Sequence, residues 1–419
     1  MECRFCNHPL EHTLIDLGHA PPSNAFLLPE KLSEPENTYP LSAKICDNCM
    51  LVQVQEQKDH KEIFDQNYVY FSSMSQDWLA HARDYVQMAK KRFDLNLESR
   101  VVEIASNDGY LLQYFKEQGI PSLGIEPASG TAQIARNKGI ETLEEFFNTN
   151  LANKLKSEGR SADLLIGNNV LAHVPNINDF VRGMKLILKD RGAITMEFPH
   201  LMHLINDSQF DTIYHEHFSY FSFNTVKKIL EHHGLELFDV DELKTHGGSL
   251  RIYAKHRRDK SKEISPKVSE LLERENKAGI GELEYYNGFD LRAEKIKRNV
   301  LKYLISEREN GRNVIAYGAA AKGNTLLNYC GIKNDLIPFA IDTTPFKQGK
   351  YLPGSHIPVY SEKKLKDSKI DTLLILPWNH KEEIIRKLKY LGEKGTKFVV
   401  PVPDIIEYSS PDFNPRKVY

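Results

Sequence analysis

Six short apolar runs punctuate the middle of the chain, and their spacing limits the fold more than any other feature. They are Arg100–Ala105, Leu123–Glu126, Asp163–Gly167, Ala193–Phe198, Leu235–Val240 and Leu250–Ala254, with amphipathic stretches between them. Short strands alternating with helix-length segments predict a mostly parallel sheet with helices on both faces. A polar, lysine-rich stretch, Arg257–Leu283, reads as a connector. The helix after it places Val300, Leu301, Leu304 and Ile305 on one face and ends at Asn310-Gly311. Strands near Val314–Tyr317, Ile337–Ile341, Thr372–Leu376 and Phe398–Val400 then predict a second α/β unit. A chain of 419 residues exceeds one hydrophobic core, so more than one domain is expected.

Charge narrows the partners. Lysine plus arginine (55) nearly cancels aspartate plus glutamate (57), so neither nucleic acid nor a membrane surface is favoured. Apolar runs such as Leu373-Leu374-Ile375-Leu376-Pro377-Trp378 suit buried strands and fall far short of a membrane span. The first residues, Met1-Glu2-Cys3-Arg4-Phe5-Cys6, lack the apolar core of a secretion signal, so a cytoplasmic location is expected. There thiols stay reduced, and paired cysteines point to metal rather than disulfide.

Cys3-x2-Cys6 and Cys46-x2-Cys49 are two such pairs, with 39 residues between them. Each tight turn presents two thiolates as adjacent corners of a tetrahedron, and two turns complete a Zn²⁺ site with no open position. Structural zinc is therefore expected, with unmetallated core cysteines or a redox pair as the alternatives. Cys330 stands alone and is expected to be buried filler.

The first run continues as Glu103-Ile104-Ala105-Ser106-Asn107-Asp108-Gly109-Tyr110, an apolar strand, a small polar turn and a helix start. Doubly wound sheets bind ligands at the carboxyl ends of strands, where such turns lie. No G-x-G-x-x-G is present, so a dinucleotide pyrophosphate has no evident cradle. An acidic strand end followed by Ser-Asn-Asp-Gly suits the cationic amino-acid part of S-adenosylmethionine. The next strand closes on Glu126-Pro127, whose carboxylate can accept from ribose hydroxyls, unless Glu126 is simply a solvated strand end. Phe146 could flank an adenine, and Asn168-Asn169 closes the Asp163–Gly167 strand. Expected cofactor contacts are thus Glu103, Ser106, Asn107, Asp108, Gly109, Glu126, Pro127, Phe146, Asn168 and Asn169.

Beyond the fourth run of the sheet lies Phe210-Asp211-Thr212-Ile213-Tyr214-His215-Glu216-His217-Phe218-Ser219-Tyr220, histidines and a glutamate among aromatics. Histidine needs only a small shift to serve as a base near neutral pH, and a neighbouring carboxylate can orient it. Metal ligation by His-x-His and simple aromatic packing are the competing readings. In the C-terminal unit, Gly318-Ala319-Ala320-Ala321-Lys322-Gly323 follows a strand and opens a helix. Small residues there let backbone approach a diphosphate while Lys322 supplies charge. A helix packed closely on its sheet would need the same residues.

With these strings assembled, the chain resembles the sugar C3-methyltransferases of deoxysugar pathways, the tetronitrose and mycarose type. The four cysteines, the Glu103–Gly109 string, Asn168-Asn169-Val170-Leu171-Ala172-His173-Val174 and Tyr214–Tyr220 carry the likeness. So do Gly247-Gly248-Ser249-Leu250-Arg251, Tyr317–Thr325, Asp342–Pro345 and Lys347-Gln348-Gly349. The resemblance implies an α/β protein in three parts. These are a zinc-binding domain at 1–63, a class I methyltransferase (Rossmann-like) domain at 64–258, and a second Rossmann-like domain at 259–419. It implies S-adenosylmethionine, structural zinc and a dTDP- or GDP-linked 4-keto-deoxysugar lying between domains, in a monomer. By position, Tyr214, Glu216, His217, His173 and Tyr70 match the family's active-site residues. Tyr70, Ser72, Ser73, Lys322, Asn324 and Lys347 are the expected substrate contacts. The implied reaction is deprotonation beside the ketone, then methylation at C3 rather than C5. His217 is assigned as base, Glu216 as its orienter and Tyr214 as donor to the enolate oxygen. An O- or N-methyltransferase and a non-catalytic zinc-containing binding protein are the rivals.

Overall fold

In the central sheet, side chains alternate between two apolar layers, as the period of a strand buried on both faces requires. The computed structural model describes residues 1–57, 71–410 and 412–419. They form two units, each assembled from separate stretches of chain. One comprises Met1–His12, Ile45–Met202 and His217–Tyr285, the other Thr13–Lys44, His203–Glu216 and Tyr286–Tyr419.

The first unit is built on seven strands: β1 (Val101–Ile104), β2 (Ser122–Ile125), β3 (Thr142–Leu143), β4 (Ala162–Asn168), β5 (Leu188–Pro199), β6 (Leu235–Leu243) and β7 (Ser249–His256). Their order is β3-β2-β1-β4-β5-β7-β6, with β7 alone antiparallel to its neighbours. That is the class I methyltransferase arrangement. Val102, Ile104, Leu165, Ile194, Met196 and Phe198 face the helices Ile177–Ile187 and Phe223–His232. Val101, Leu164, Ile166, Ala193 and Tyr253 face helix Gln76–Arg92. Each Val, Leu, Ile, Met or Phe side chain among them contributes about 1.5–3 kcal/mol on burial, enough for packing to outweigh local propensity. Helix Gln76–Arg92 starts where the Ser75 side chain accepts from the Trp78 N–H, satisfying one of its orphan donors.

Two expectations need correction. Arg257–Leu283 is not merely a connector, because it contains helix Pro266–Ala278, capped by Ser265 and begun by Pro266. Val268, Leu271 and Glu275 are buried on that helix, and its polar majority hid the narrow apolar stripe. The later helix runs Phe289–Glu309 and buries Val300, Tyr303, Leu304 and Glu307, whereas Ile305 is exposed.

The second unit carries β8 (Val314–Tyr317), β9 (Ala340–Ile341), β10 (Val359–Tyr360), β11 (Thr372–Ile375), β12 (Lys397–Val400), β13 (Ile406–Tyr408) and β14 (Pro415–Lys417). The order is β10-β9-β8-β11-β12-β13-β14, parallel through β12 and antiparallel beyond it. Within this unit the N-terminal stretch pairs Leu27 with Tyr351 in both directions (3.0 and 2.8 Å) and sets Glu36 on His356 (2.8 Å). No described helix is long and apolar enough to cross a membrane.

Candidate active site

The four N-terminal cysteines converge. Cys3 and Cys49 sulfurs lie 3.6 Å apart, Cys6 and Cys46 sulfurs 3.5 Å, and all four fall within 4.8 Å of one another. Zn–S bonds of about 2.3 Å put tetrahedral neighbours about 3.8 Å apart, so the donor set fits zinc with no position left for chemistry. The two turns match: Asn7 N–H bonds the Cys3 carbonyl and Met50 N–H the Cys46 carbonyl, with Asn7 and Met50 both left-handed (φ 61° and 62°). Gln53 donates to Cys3 Sγ at 3.2 Å. Among the described residues this is the one convergent group of three or more histidine, cysteine or acidic ligands. Metal ligation at the Tyr214–Tyr220 loop therefore has no such group behind it.

At the carboxyl edge of β1 and β4 the backbone turns sharply through non-glycine residues. Ala105, Asn107 and Asn169 all take positive φ (56°, 50° and 54°), conformations that persist only when surrounding contacts impose them. Gly124 has no room for a side chain, since a Cβ there would lie 2.4 Å from Ser106 Oγ. Glu126 closes β2 and accepts from the Asn107 N–H and the Ala128 N–H, both at 2.9 Å, with half-buried Pro127 between. Its first task is thus to shape the β1 turn, leaving its other lone pairs for a ligand. Burial pushes its carboxyl up to about 7, against the backbone bonds that favour the anion. Glu103 is wholly buried and pushed well above the carboxylate range, chiefly by burial and further by Glu126 and Asp108.

Three acids thus crowd one turn, with Lys138 Nζ 3.6 Å from Asp108 as the cation at hand. Ser106 Oγ, Asp108 Oδ1, Asn168 Oδ1 and Asn169 Oδ1 are buried with no hydrogen-bond partner. Crowded acids with unused acceptors fit a cationic, hydroxyl-bearing group such as S-adenosylmethionine. Gly109, left-handed at φ 75°, ends the turn; a Cβ there would meet Ile140 at 2.4 Å. Phe146 is half-buried after β3, while Phe147 turns into the core against Phe180.

Ser72 and Ser73, expected at the substrate, bond the same turn: the Ser72 N–H donates to Asn107 Oδ1 (2.9 Å) and the Ser73 hydroxyl to Asp108. Tyr70 lies outside the described residues. Trp78, Tyr110 and His246 were not anticipated. Trp78 stacks on Tyr110, its ring edge faces His246, and Asn169 Nδ2 bonds His246 Nε2 at 3.0 Å. Only a distant strand pairing brings His246 here, although its left-handed backbone follows from the adjacent Gly247-Gly248 turn.

After β4, the turn Leu171–His173 carries His173 edge-on to His217, with ring centroids 4.7 Å apart. Phe218 N–H donates to the Ala172 carbonyl (2.7 Å), and Val52–Val54 pairs with Ser219–Tyr220, which together hold the histidine pair in place. Arg4, between the zinc cysteines, donates to the Val54 and Pro175 carbonyls on either side.

The preceding residues belong to the second unit. Buried His215 donates from Nε2 to the Tyr39 and Pro40 carbonyls, which gives it a packing role, and burial pushes its pKa down. Glu216 accepts from the Asn24 N–H (3.2 Å) and its side-chain amide, and burial pushes its carboxyl up. Asn24 could not be foreseen from a position 192 residues away. Tyr214 is half-buried. Asp211, fully buried, accepts from Trp378 Nε1 at 2.7 Å, and Thr325 donates to the Ile213 carbonyl.

The turn after β8 repeats the wiring of the turn after β1. Asp342 closes β9 and accepts from the Ala319 N–H (2.7 Å) and the Thr344 N–H (2.8 Å), as Glu126 does from Asn107 and Ala128. Lys322 sits 4.2 Å over Trp378 and bonds Asn379, and burial lowers its ammonium to about 8. Lys347 donates to the Ala319 carbonyl, which commits it to holding the turn. Asn324, in the first turn of helix Ala321–Cys330, is fully buried with both ends of its amide unpartnered.

Three family models cover most of the chain: a zinc binding domain (residues 3–64), a methyltransferase domain (78–240) and a C-methyltransferase C-terminal domain (244–403). The C-methyltransferase NovU of Streptomyces niveus is 34% identical over 403 residues, covering 96% of each chain. A ubiquinone biosynthesis O-methyltransferase of Bartonella quintana is 22% identical over 121 residues, 28% of this chain and 49% of that one. Among solved structures, the magnesium protoporphyrin IX methyltransferase of Synechocystis with bound SAM aligns at 15% identity and a TM-score of 0.35. It covers 48% of this chain and 99% of its own.

Proposed function

The chain belongs to the C-methyltransferase family, and we propose that its substrate is a nucleotide-linked 4-keto-deoxysugar methylated at C3. One observation carries this reading: a C-methyltransferase must first make a carbon nucleophile, and His217 and His173 pack edge to face beside the end of β4. A hydrogen alpha to a ketone is acidic enough for a neutral imidazole when the enolate oxygen is stabilised. S-adenosylmethionine, when bound, supplies the electrophilic methyl group.

His217 takes the C3 proton, and the electron pair moves onto the carbonyl oxygen, where Tyr214 donates a hydrogen bond. With the cofactor bound, the carbon's electron pair would form the new bond to the methyl group as the carbonyl re-forms, the methyl–sulfur pair would return to the sulfur of departing S-adenosylhomocysteine, and the proton stays on the His217 imidazole until solvent removes it. Glu216, held by Asn24, keeps the tetrapeptide in register, and His173 limits rotation of the His217 ring. Tyr70 is the further contact to the sugar. Glu103, Ser106, Asn107, Asp108, Gly109, Glu126, Pro127, Phe146, Asn168 and Asn169 hold the cofactor. Ser72 and Ser73 act on substrate through that same turn. Lys322, Asn324 and the helix N-terminus beside them receive the dTDP or GDP diphosphate, with Lys347 setting the turn. The division into 1–63, 64–258 and 259–419, a monomeric state and a cytoplasmic setting complete the proposal.

The test is mass spectrometry of dTDP- and GDP-linked 4-keto sugars incubated with enzyme and S-adenosylmethionine. Gain of one methyl, located at C3 by NMR, is expected. A methyl on oxygen or nitrogen would overturn the carbon-acid reading, and one at C5 would move the deprotonated position.

A further inference from the structure

The first unit contains a buried charge cluster that the reaction leaves without a task. Glu197 on β5 is almost fully buried. It accepts from Arg251 Nε at 2.7 Å and lies 2.9 and 3.1 Å from His81 Nε2, while Arg251 lies over the Tyr85 ring at 4.7 Å. Burial alone would raise the Glu197 carboxyl, but the His81 bond and the Arg251 charge prevail and hold it below the ordinary range. Buried ion pairs seldom add net stability, because desolvation offsets the attraction, so a hydrophobic replacement would serve packing as well. The register shows where the cluster points. Glu197 is the strand partner of Asn168 on β4 and of Arg251 on β7.

From this cluster the contacts run without a break to the cofactor turn. The His81 ring stacks on Trp78 (centroids 4.9 Å, 20° between planes), and Trp78 stacks in turn on Tyr110 (5.9 Å, 25°). The Tyr110 hydroxyl receives the Asn168 side-chain amide at 3.2 Å and lies beside Glu103. Trp78 and His81 share one face of helix Gln76–Arg92, and the segment before it is bonded to Asn107 and Asp108. The geometry points to Glu197 as a positioning residue that, through His81 and Trp78, fixes Tyr110 and Asn168 in the conformation that accepts S-adenosylmethionine. Arg251 anchors Glu197, and Trp78 transmits the constraint.

The test uses the full chain carrying Trp378→Phe, so that Trp78 is the remaining tryptophan. In that background Glu197→Gln keeps shape but removes the charge that His81 and Arg251 share. Calorimetry should then show S-adenosylmethionine binding about tenfold weaker, the size of one lost coupled contact. Trp78 emission should become more accessible to acrylamide. In the otherwise native chain, KM for the cofactor should rise while kcat at saturation changes much less. A folded Glu197→Gln protein with unchanged cofactor affinity and unchanged Trp78 quenching would overturn the assignment. Should Glu197→Gln not fold, Trp78→Phe in the native background replaces it. Weakened cofactor binding at unchanged Tm supports the relay, and unchanged binding overturns it. Cofactor titration of the parent protein comes first and separates failure of the relay from failure to bind the cofactor at all.

Discussion

His217→Asn keeps the shape of the side chain and some hydrogen bonding while removing basicity. Turnover should fall about 10²–10⁴-fold with substrate and cofactor binding retained, the usual contribution of a positioned base. Deuterium exchange at the methylated carbon, run in heavy water without cofactor, should fall in step. Exchange at the parent rate in this variant would pass the base role to His173, Glu216 or Tyr70. Glu126 makes a prediction about pH. Its carboxyl ionises near 7 in the folded chain against an ordinary 4.5. Its stabilising contribution is therefore full below about 4.5 and lost as pH rises through 7, because the folded chain holds a proton that the unfolded chain has released. A cationic cofactor favours the anion, so S-adenosylmethionine affinity should improve about tenfold from pH 6 to pH 8. Calorimetry giving a flat profile, or one that persists in Glu126→Gln, would move that contact elsewhere. The residue type at 126 was legible from its place at a strand end. Its bonds to Asn107 and Ala128 were not, because they depend on two left-handed residues without a glycine to announce them.

Among the elements, the two cysteine turns were the easiest to read, since ligand spacing is a local property. Zinc content should be about one per chain, and Cys46→Ser should abolish it and lower Tm. A metal-free protein of normal stability would rule out a structural role. Arg4 donates to the Val54 and Pro175 carbonyls, close to the histidine pair, so zinc loss should also loosen that region in hydrogen exchange. Helix Pro266–Ala278 illustrates what pattern reading misses. Its start signal, Ser265-Pro266, is present, yet only Val268 and Leu271 supply the buried apolar stripe, and charged residues dominate. The buried partner that settles it as a packed helix is Glu275, whose carboxylate receives the Phe223 and Asn224 N–H groups (2.7 and 2.8 Å) and caps another helix. No periodicity rule anticipates a glutamate on the inner face.

At the scale of the molecule, the C-terminal unit depends on stretches far from it in sequence. Residues 13–44 supply the Leu27–Tyr351 pairing and the Glu36–His356 contact, and residues 203–216 supply the Asp211–Trp378 bond. A fragment limited to 259–419 should therefore be poorly soluble or lack cooperative melting, as circular dichroism would show. A sharp transition in that fragment would refute this dependence. In the full chain, Asp211→Ala leaves a buried indole N–H unpaired and should cost about 1–3 kcal/mol in denaturant unfolding. What the sequence alone determined was whatever rests on local spacing: the α/β class, the strand runs, the zinc turns and the polar turn after β1. Tertiary structure decided the rest, namely which segments share a unit, that Asn24 holds Glu216, and that Trp78, Tyr110 and His246 gather beside Asn169. The physical reason is that periodicity and ligand spacing are imposed by bonds between near neighbours. Pairings across 192 residues arise only from the burial and hydrogen-bond balance of the whole fold.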